Sequence, residues 1–139
     1  MKSIFADANY WIALVNPKDN LHHIAKSVSS ALGQVRMVTS EMVLAEVLNG
    51  LSGEGERLRQ VAVTLVEKVQ SDPNSEVVPQ TSLLFKRALA LYKQRNDKDW
   101  GLTDCGSMEI MREKGITEAL TYDVHFKQAG FSPLLRHTG

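Results

Sequence analysis

Short apolar runs alternate with longer segments of three-and-four spacing along almost the whole chain, and this alternation limits the fold more than any other feature. Ser3 to Ala6 is a buried-strand run ending at Asp7, followed by helix-compatible residues until Asn16-Pro17 breaks the pattern. Asp19 or Asn20 can cap a second helix carrying Leu21, Ile24, Ala25, Val28 and Leu32, closed by Gly33. Val35 to Thr39 reads as a second strand. Thr39-Ser40-Glu41 then opens a helix with the stripe Leu44, Val47, Leu48 and Leu51. The pattern from Glu56 to Gln70 is the most regular helix, ended by Asp72-Pro73-Asn74. Glu76 to Pro79 is a short strand, and Leu84, Ala88, Leu91 and Tyr92 mark a helix reaching Arg95-Asn96. A loop from Asn96 to Leu102 leads to Thr103 as helix cap, with Asp104 in the first turn. Ile116 to Tyr122 returns as a strand ending at Asp123, and Phe126, Gly130, Phe131 and Leu134-Leu135 close the fold. Strands that alternate with helices need a mostly parallel sheet covered on both faces, so the class is α/β.

The 139 residues suit one domain, 1–139, with one core. Sixteen Lys plus Arg balance sixteen Asp plus Glu, which excludes a general positive field for capturing polyanions. Any nucleic-acid binding must therefore be local. The densest basic stretch is Lys86, Arg87, Lys93, Arg95 and Lys98, which leads into the loop before Asp104 and suits a phosphate backbone, although such charges are commonly a solvated face. Cys105, the single cysteine, makes no internal disulfide, and Asp7 interrupts the N-terminal apolar run before a signal peptide develops. No apolar run approaches the ~20 residues of a membrane helix. A cytoplasmic location is the expectation.

In a parallel sheet, ligands gather outside the carboxyl ends of the strands, where strand order reverses. Asp7 and Asp123 each follow a strand directly, Asp104 opens a helix, and Glu46 lies on the third helix, so acids from distant parts of the chain can converge. Like charges brought together raise one another's pKa, and a divalent cation removes that cost. Carboxylate oxygens select Mg²⁺ or Mn²⁺ over zinc, and such a site suits phosphodiester hydrolysis. Each acid also has a plainer reading. Asp7 and Asp104 suit helix N-termini, Asp123 suits a turn, and Glu46 points about 150° away from the apolar stripe of its helix, toward solvent. His22 and His23 read as helix-surface groups with no zinc-ligand pattern, and Cys105 as a small core residue.

Phe5-Ala6-Asp7-Ala8-Asn9, Glu46, Leu102-Thr103-Asp104-Cys105-Gly106-Ser107-Met108 and Leu120-Thr121-Tyr122-Asp123-Val124-His125-Phe126, in that order, resemble the PIN-domain family over essentially the whole chain. Asp19, His22, Ala25 and Ala129-Gly130-Phe131 are similar to stretches of its VapC-type toxin ribonucleases. The resemblance implies a three-layer α/β/α sandwich with a sheet of four to five strands. It further implies Mg²⁺- or Mn²⁺-dependent cleavage of single-stranded or looped RNA, a homodimer, and a small antitoxin partner. Carried across by position, Asp7, Glu46, Asp104 and Asp123 are the metal-site and catalytic acids, Asn9, Ser107 and Thr121 are supporting groups, and Asp99 is an auxiliary acid. Some relatives carry another acid two residues after the last aspartate, where this chain has His125. Competing readings are a housekeeping RNA-processing nuclease, a non-catalytic binding module, and a phosphatase with Asp7 as nucleophile. Asn9 stands against the last, which would need a second acid at that position.

Overall fold

The computed structural model describes residues 1–136. Five strands, β1 (Lys2–Ala6), β2 (Val35–Ser40), β3 (Ser75–Val78), β4 (Glu118–Leu120) and β5 (Ser132–Pro133), form one sheet in the order β3-β2-β1-β4-β5 with every pairing parallel. The helices are α1 (Ala8–Val15), α2 (His22–Ala31), α3 (Glu41–Leu51), α4 (Glu56–Ser71), α5 (Ser82–Gln94), α6 (Leu102–Lys114) and α7 (Val124–Gln128), followed by a 3₁₀ turn at Leu134–Arg136. The chain moves outward from β1 to β3, then crosses back to β4 on the other side of β1. Right-handed crossovers therefore put α1 to α4 on one face and α5 and α6 on the other. The packing agrees, with α1 against α2 and α3, α3 against α4, and α5 against α6. This is the three-layer α/β/α sandwich. Among the described residues, no helix is long and apolar enough to cross a membrane.

The strands are buried on both faces, and that is why they appear in the sequence as continuous apolar runs rather than alternating ones. Phe5, Ala6, Val38, Ala119 and Leu120 are buried in the sheet, covered by Tyr10, Val43, Val47 and Leu51 on helices and by Cys105, Met108, Met111 and Phe126. Four sequence expectations need correcting. The segment Ile116 to Tyr122 is strand only at its centre, because Thr121 to Asp123 turn to make side-chain contacts at the sheet end. A sheet of four to five strands was expected, but the fifth, Ser132–Pro133, was not located; its proline occupies an edge strand, where a missing N–H costs no ladder bond. Neither Asp19 nor Asn20 is the N-cap of α2: Leu21 takes that position, and Asp19 Oδ1 accepts the Leu21 N–H in the preceding turn. On α3 the buried face is Val43, Leu44, Val47 and Leu51, with Leu48 left 36% exposed. That rotates the buried face toward Glu46, which lies about 115° from its centre instead of about 150°.

α3 packs against α1 and meets it closely at one point. A Cβ at Gly50 would sit 2.8 Å from Ile12 Cδ1, so the absence of a side chain lets the two helices approach there. Glu46 lies one turn earlier on that flank and lines the same cleft as Asp7, the residue that follows β1.

Candidate metal centre

The strand order reverses between β1 and β4, and the acids lie at that point. Asp7 follows β1 and caps α1, its Oδ1 accepting the Ala8 N–H at 2.9 Å. Its other oxygen, Oδ2, accepts the Thr121 hydroxyl at 2.8 Å and the Asn9 amide at 3.4 Å. Asn9 Nδ2 also donates to Thr121 Oγ1 at 3.1 Å, and Asn9 Oδ1 accepts the Tyr122 N–H at 3.2 Å. Thr121 Oγ1 further accepts the Asp123 N–H at 3.1 Å. The ends of β1 and β4 are thus tied together by side chains after their backbone pairing stops.

Asp104 and Glu46 reach the same place from opposite layers. Thr103 is not the cap of α6: Gly101 is, and Asp104 itself accepts the Gly101 N–H through Oδ2 at 3.2 Å. Thr103 stands in the first turn, on the side of the Glu46 carboxylate, whose proton affinity it lowers. Asp123 accepts the His125 N–H through Oδ1 at 2.9 Å, and this cap starts α7. His125 Nδ1 lies 3.1 Å from both Asp104 Oδ2 and Asp123 Oδ1.

Asp7, Glu46, Asp104 and Asp123 line one open cleft together with Ala8, Asn9, Ile12 and Asn49, and no lysine or arginine is among those lining residues. The electrostatics show the cost of this arrangement. Burial pushes the Asp7 carboxyl up to about 7, opposed by the Thr121 and Ala8 hydrogen bonds and reinforced by Asp104 and Glu46. Burial also raises Glu46, offset in part by Thr103 and reinforced by Asp104. Asp104 is raised by burial and by Asp123, with His125 acting in the opposite direction. Converging carboxyls that resist ionisation, with no basic side chain in the lining, fit a divalent cation with oxygen ligands.

Other sequence candidates lie elsewhere. Ser107 is buried one turn beyond Asp104, its hydroxyl without a partner, and it lines a small separate cavity beside Met42, Leu84 and Phe85. Asp99 is exposed in the loop before α6 and is not part of the cleft lining. Of the basic stretch, Arg87 pairs with Glu113 at 3.2 Å, while Arg95 pairs with Asp97 and lies over the Trp100 ring. Lys86 and Lys93 are exposed on α5, Lys98 is half-buried in the loop, and none of the five lines the cleft. Thr103 and Asn49 were not singled out as site residues; Asn49 shares a helix face with Glu46 three residues earlier, whereas Thr103, adjacent to Asp104, carries no such signal.

A parallel five-stranded sheet with acids gathered at its switch point defines a class, and the PIN domain family model matches residues 4–132. The chain belongs to the PIN domain family. It is 31% identical over 131 residues to the 23S rRNA-specific endonuclease VapC20 of Mycobacterium tuberculosis, covering 92% of this chain and 95% of that one. The crystal structure of M. tuberculosis VapC20, described as a sarcin-ricin loop cleaving toxin, superposes with a TM-score of 0.82 at 29% identity, covering 92% of this chain and 95% of that one. FitAcB from Neisseria gonorrhoeae shares the fold, with a TM-score of 0.68, 17% identity, and coverage of 96% of this chain and 99% of that one.

Proposed function

We propose that this chain is a metal-dependent endoribonuclease, the toxin of a toxin-antitoxin pair, acting in the cytoplasm as one catalytic domain. The observation that carries this reading is the convergence of Asp7, Glu46, Asp104 and Asp123 on one cleft whose lining contains no basic side chain. Family membership and likeness to an rRNA endonuclease support RNA as the substrate. Unpaired or looped RNA fits best, because a splayed strand can enter an open cleft that a stacked helix cannot.

The four acids would hold Mg²⁺ or Mn²⁺. A bound divalent cation lowers the pKa of a water and offsets charge developing on phosphate oxygens. Asp7, fixed by Thr121 and Ala8, presents its carboxylate in a set orientation. Glu46, on the accessible rim with its proton affinity raised, accepts the proton of the attacking water. Attack in line breaks the bond from phosphorus to the 3′-oxygen, leaving a 3′-hydroxyl and a 5′-phosphate. Lys86, Arg87, Lys93, Arg95 and Lys98 guide the strand from outside the cleft, with Asp99 at the edge of that path.

Cleavage of a fluorescent mixed-sequence RNA and of ribosomal RNA, with Mg²⁺ or Mn²⁺ and with EDTA, tests this reading. Cutting is expected with either ion and lost in EDTA, and the fragments should carry 5′-phosphates. Cutting that survives EDTA, or fragments ending in 2′,3′-cyclic phosphate, would contradict it.

The protein acts as a homodimer neutralised by a small antitoxin in this reading. Phe85, Leu89 and Tyr92 are 44%, 47% and 51% exposed, and their spacing puts them on one stripe of α5. A second copy burying that stripe accounts for so much exposed apolar surface on one helix. Sedimentation velocity should show a dimer, and Leu89→Lys should shift it to monomer; an unshifted dimer would exclude α5 as the interface.

A further inference from the structure

His125 stands where the cleft's acids meet, yet the mechanism above does not use its ring. Its backbone N–H already completes the Asp123 cap at 2.9 Å, so the start of α7 does not need the imidazole. Its Nδ1 nevertheless lies 3.1 Å from Asp104 Oδ2 and 3.1 Å from Asp123 Oδ1, and the three donor atoms all fall within 4.8 Å of one another. A single Nδ1–H cannot point squarely at both oxygens, so as a hydrogen-bond donor it serves at best one of them well. The spacing has another meaning. Ligand bonds of ~2.1 Å at right angles put neighbouring donor atoms about 3 Å apart, which is the edge of an octahedral site. Asp104 and Asp123 line the cleft, and His125, just outside that lining, has a side chain 24% exposed beside them, so solvent reaches all three groups.

We propose that His125 Nδ1 would be a direct ligand of the metal beside Asp104 and Asp123, and that it makes this centre prefer Mn²⁺ to Mg²⁺. The inference rests on the reading of the cleft as a metal site and names the ligand that sets its selectivity. Mg²⁺ takes oxygen donors and gains little from an imidazole, whereas later divalent ions bind imidazole nitrogen progressively better. A ring nitrogen added to an otherwise all-oxygen set therefore discriminates between the two ions. A neutral ring binding through Nδ1 would carry its single N–H proton on Nε2.

The test is Mn²⁺ binding to the full chain, read by electron paramagnetic resonance with electron spin-echo detection of nitrogen coupling, alongside competition by Mg²⁺. Wild type should show an imidazole-nitrogen coupling. His125→Ala and the oxygen-donor variant His125→Asp should both lose it while still binding Mn²⁺. The preference for Mn²⁺ over Mg²⁺ should fall roughly tenfold or more in each. Circular dichroism confirms that the variants are folded, and having two variants keeps the result interpretable if one is not. Mn²⁺ bound with no nitrogen coupling, or a coupling that persists without His125, overturns the ligand assignment and leaves the acidic site standing. Failure of wild type to bind Mn²⁺ any better than an Asp7→Asn variant overturns both readings.

Discussion

Asp7→Asn should melt at a higher temperature than wild type in EDTA at about pH 8, while losing RNA cleavage by at least ~100-fold. Asp7 is 5% exposed, and its carboxyl is pushed from 3.8 up to about 7, chiefly by burial. A folded pKa above the unfolded value means that the neutral carboxyl is the form the fold favours. Its contribution to stability is fully present below 3.8 and is lost as pH rises through about 7. Above that pH the metal-free protein holds a buried carboxylate with no basic side chain in the cleft lining. The shift sets a ceiling of roughly 4 kcal/mol on the resulting destabilisation. Asparagine keeps the oxygen that caps α1 through the Ala8 N–H and removes the charge; its amide nitrogen replaces the Oδ2 that accepts Thr121, a loss of about 1–3 kcal/mol that stays below the ceiling. Melting curves from about pH 5 to pH 8 check this, since the advantage of the variant should shrink toward the acid end as Asp7 takes up its proton. Added Mn²⁺ should stabilise wild type and do little for the variant. A variant that melts below wild type across the whole range would show that Asp7 is a structural cap rather than a strained ligand.

Much of this architecture is readable in the sequence because parallel strands in a covered sheet are continuous apolar runs. Ser3 to Ala6 and Val35 to Thr39 are such runs, and an acid immediately after the first one must lie at the carboxyl edge of the sheet. The features that were hidden depend on contacts between elements. Ser132–Pro133 is too short, and its proline too unlike a strand residue, for local pattern to reveal β5. Thr103 resembles a cap because hydroxyls commonly are, whereas Gly101 is the cap and Asp104 closes it from the first turn. Glu46 looks solvated on a helical wheel and is exposed; what the wheel could not show is that this exposed carboxylate borders the cleft that Asp7 and Asp104 line. Order along the chain located the four acids. It could not show that Ser107 faces a different cavity from Asp104, because a single helical turn separates sites that only tertiary packing distinguishes.

The second large effect is expected at Thr121, which touches no substrate in this reading but joins two of the acids. It is fully buried, and its hydroxyl donates to Asp7 Oδ2 at 2.8 Å while accepting Asn9 Nδ2 and the Asp123 N–H, each at 3.1 Å. One donor and two acceptor positions are all that a hydroxyl has, so every capacity is used. Thr121→Val keeps the shape and removes all three bonds. Asp7 Oδ2 is then left with the 3.4 Å contact to Asn9, and the Asp123 N–H loses its partner. Stability should fall by about 1–3 kcal/mol, the cost of a buried polar group left unsatisfied. Cleavage should fall about 10- to 100-fold, as when groups that orient metal ligands are removed. The Thr121 hydrogen bond also holds the Asp7 pKa down, so its loss should move the rise of activity with pH toward more alkaline values. Thr121→Ser retains the hydroxyl and should recover most of the activity and the original pH profile. A purely structural role would lower the melting temperature of the valine variant without moving that profile. A valine variant within about twofold of wild-type activity, with its pH profile unmoved, would mean that Asp7 is oriented by its own cap on α1 and that the tie between β1 and β4 serves only to close the sheet.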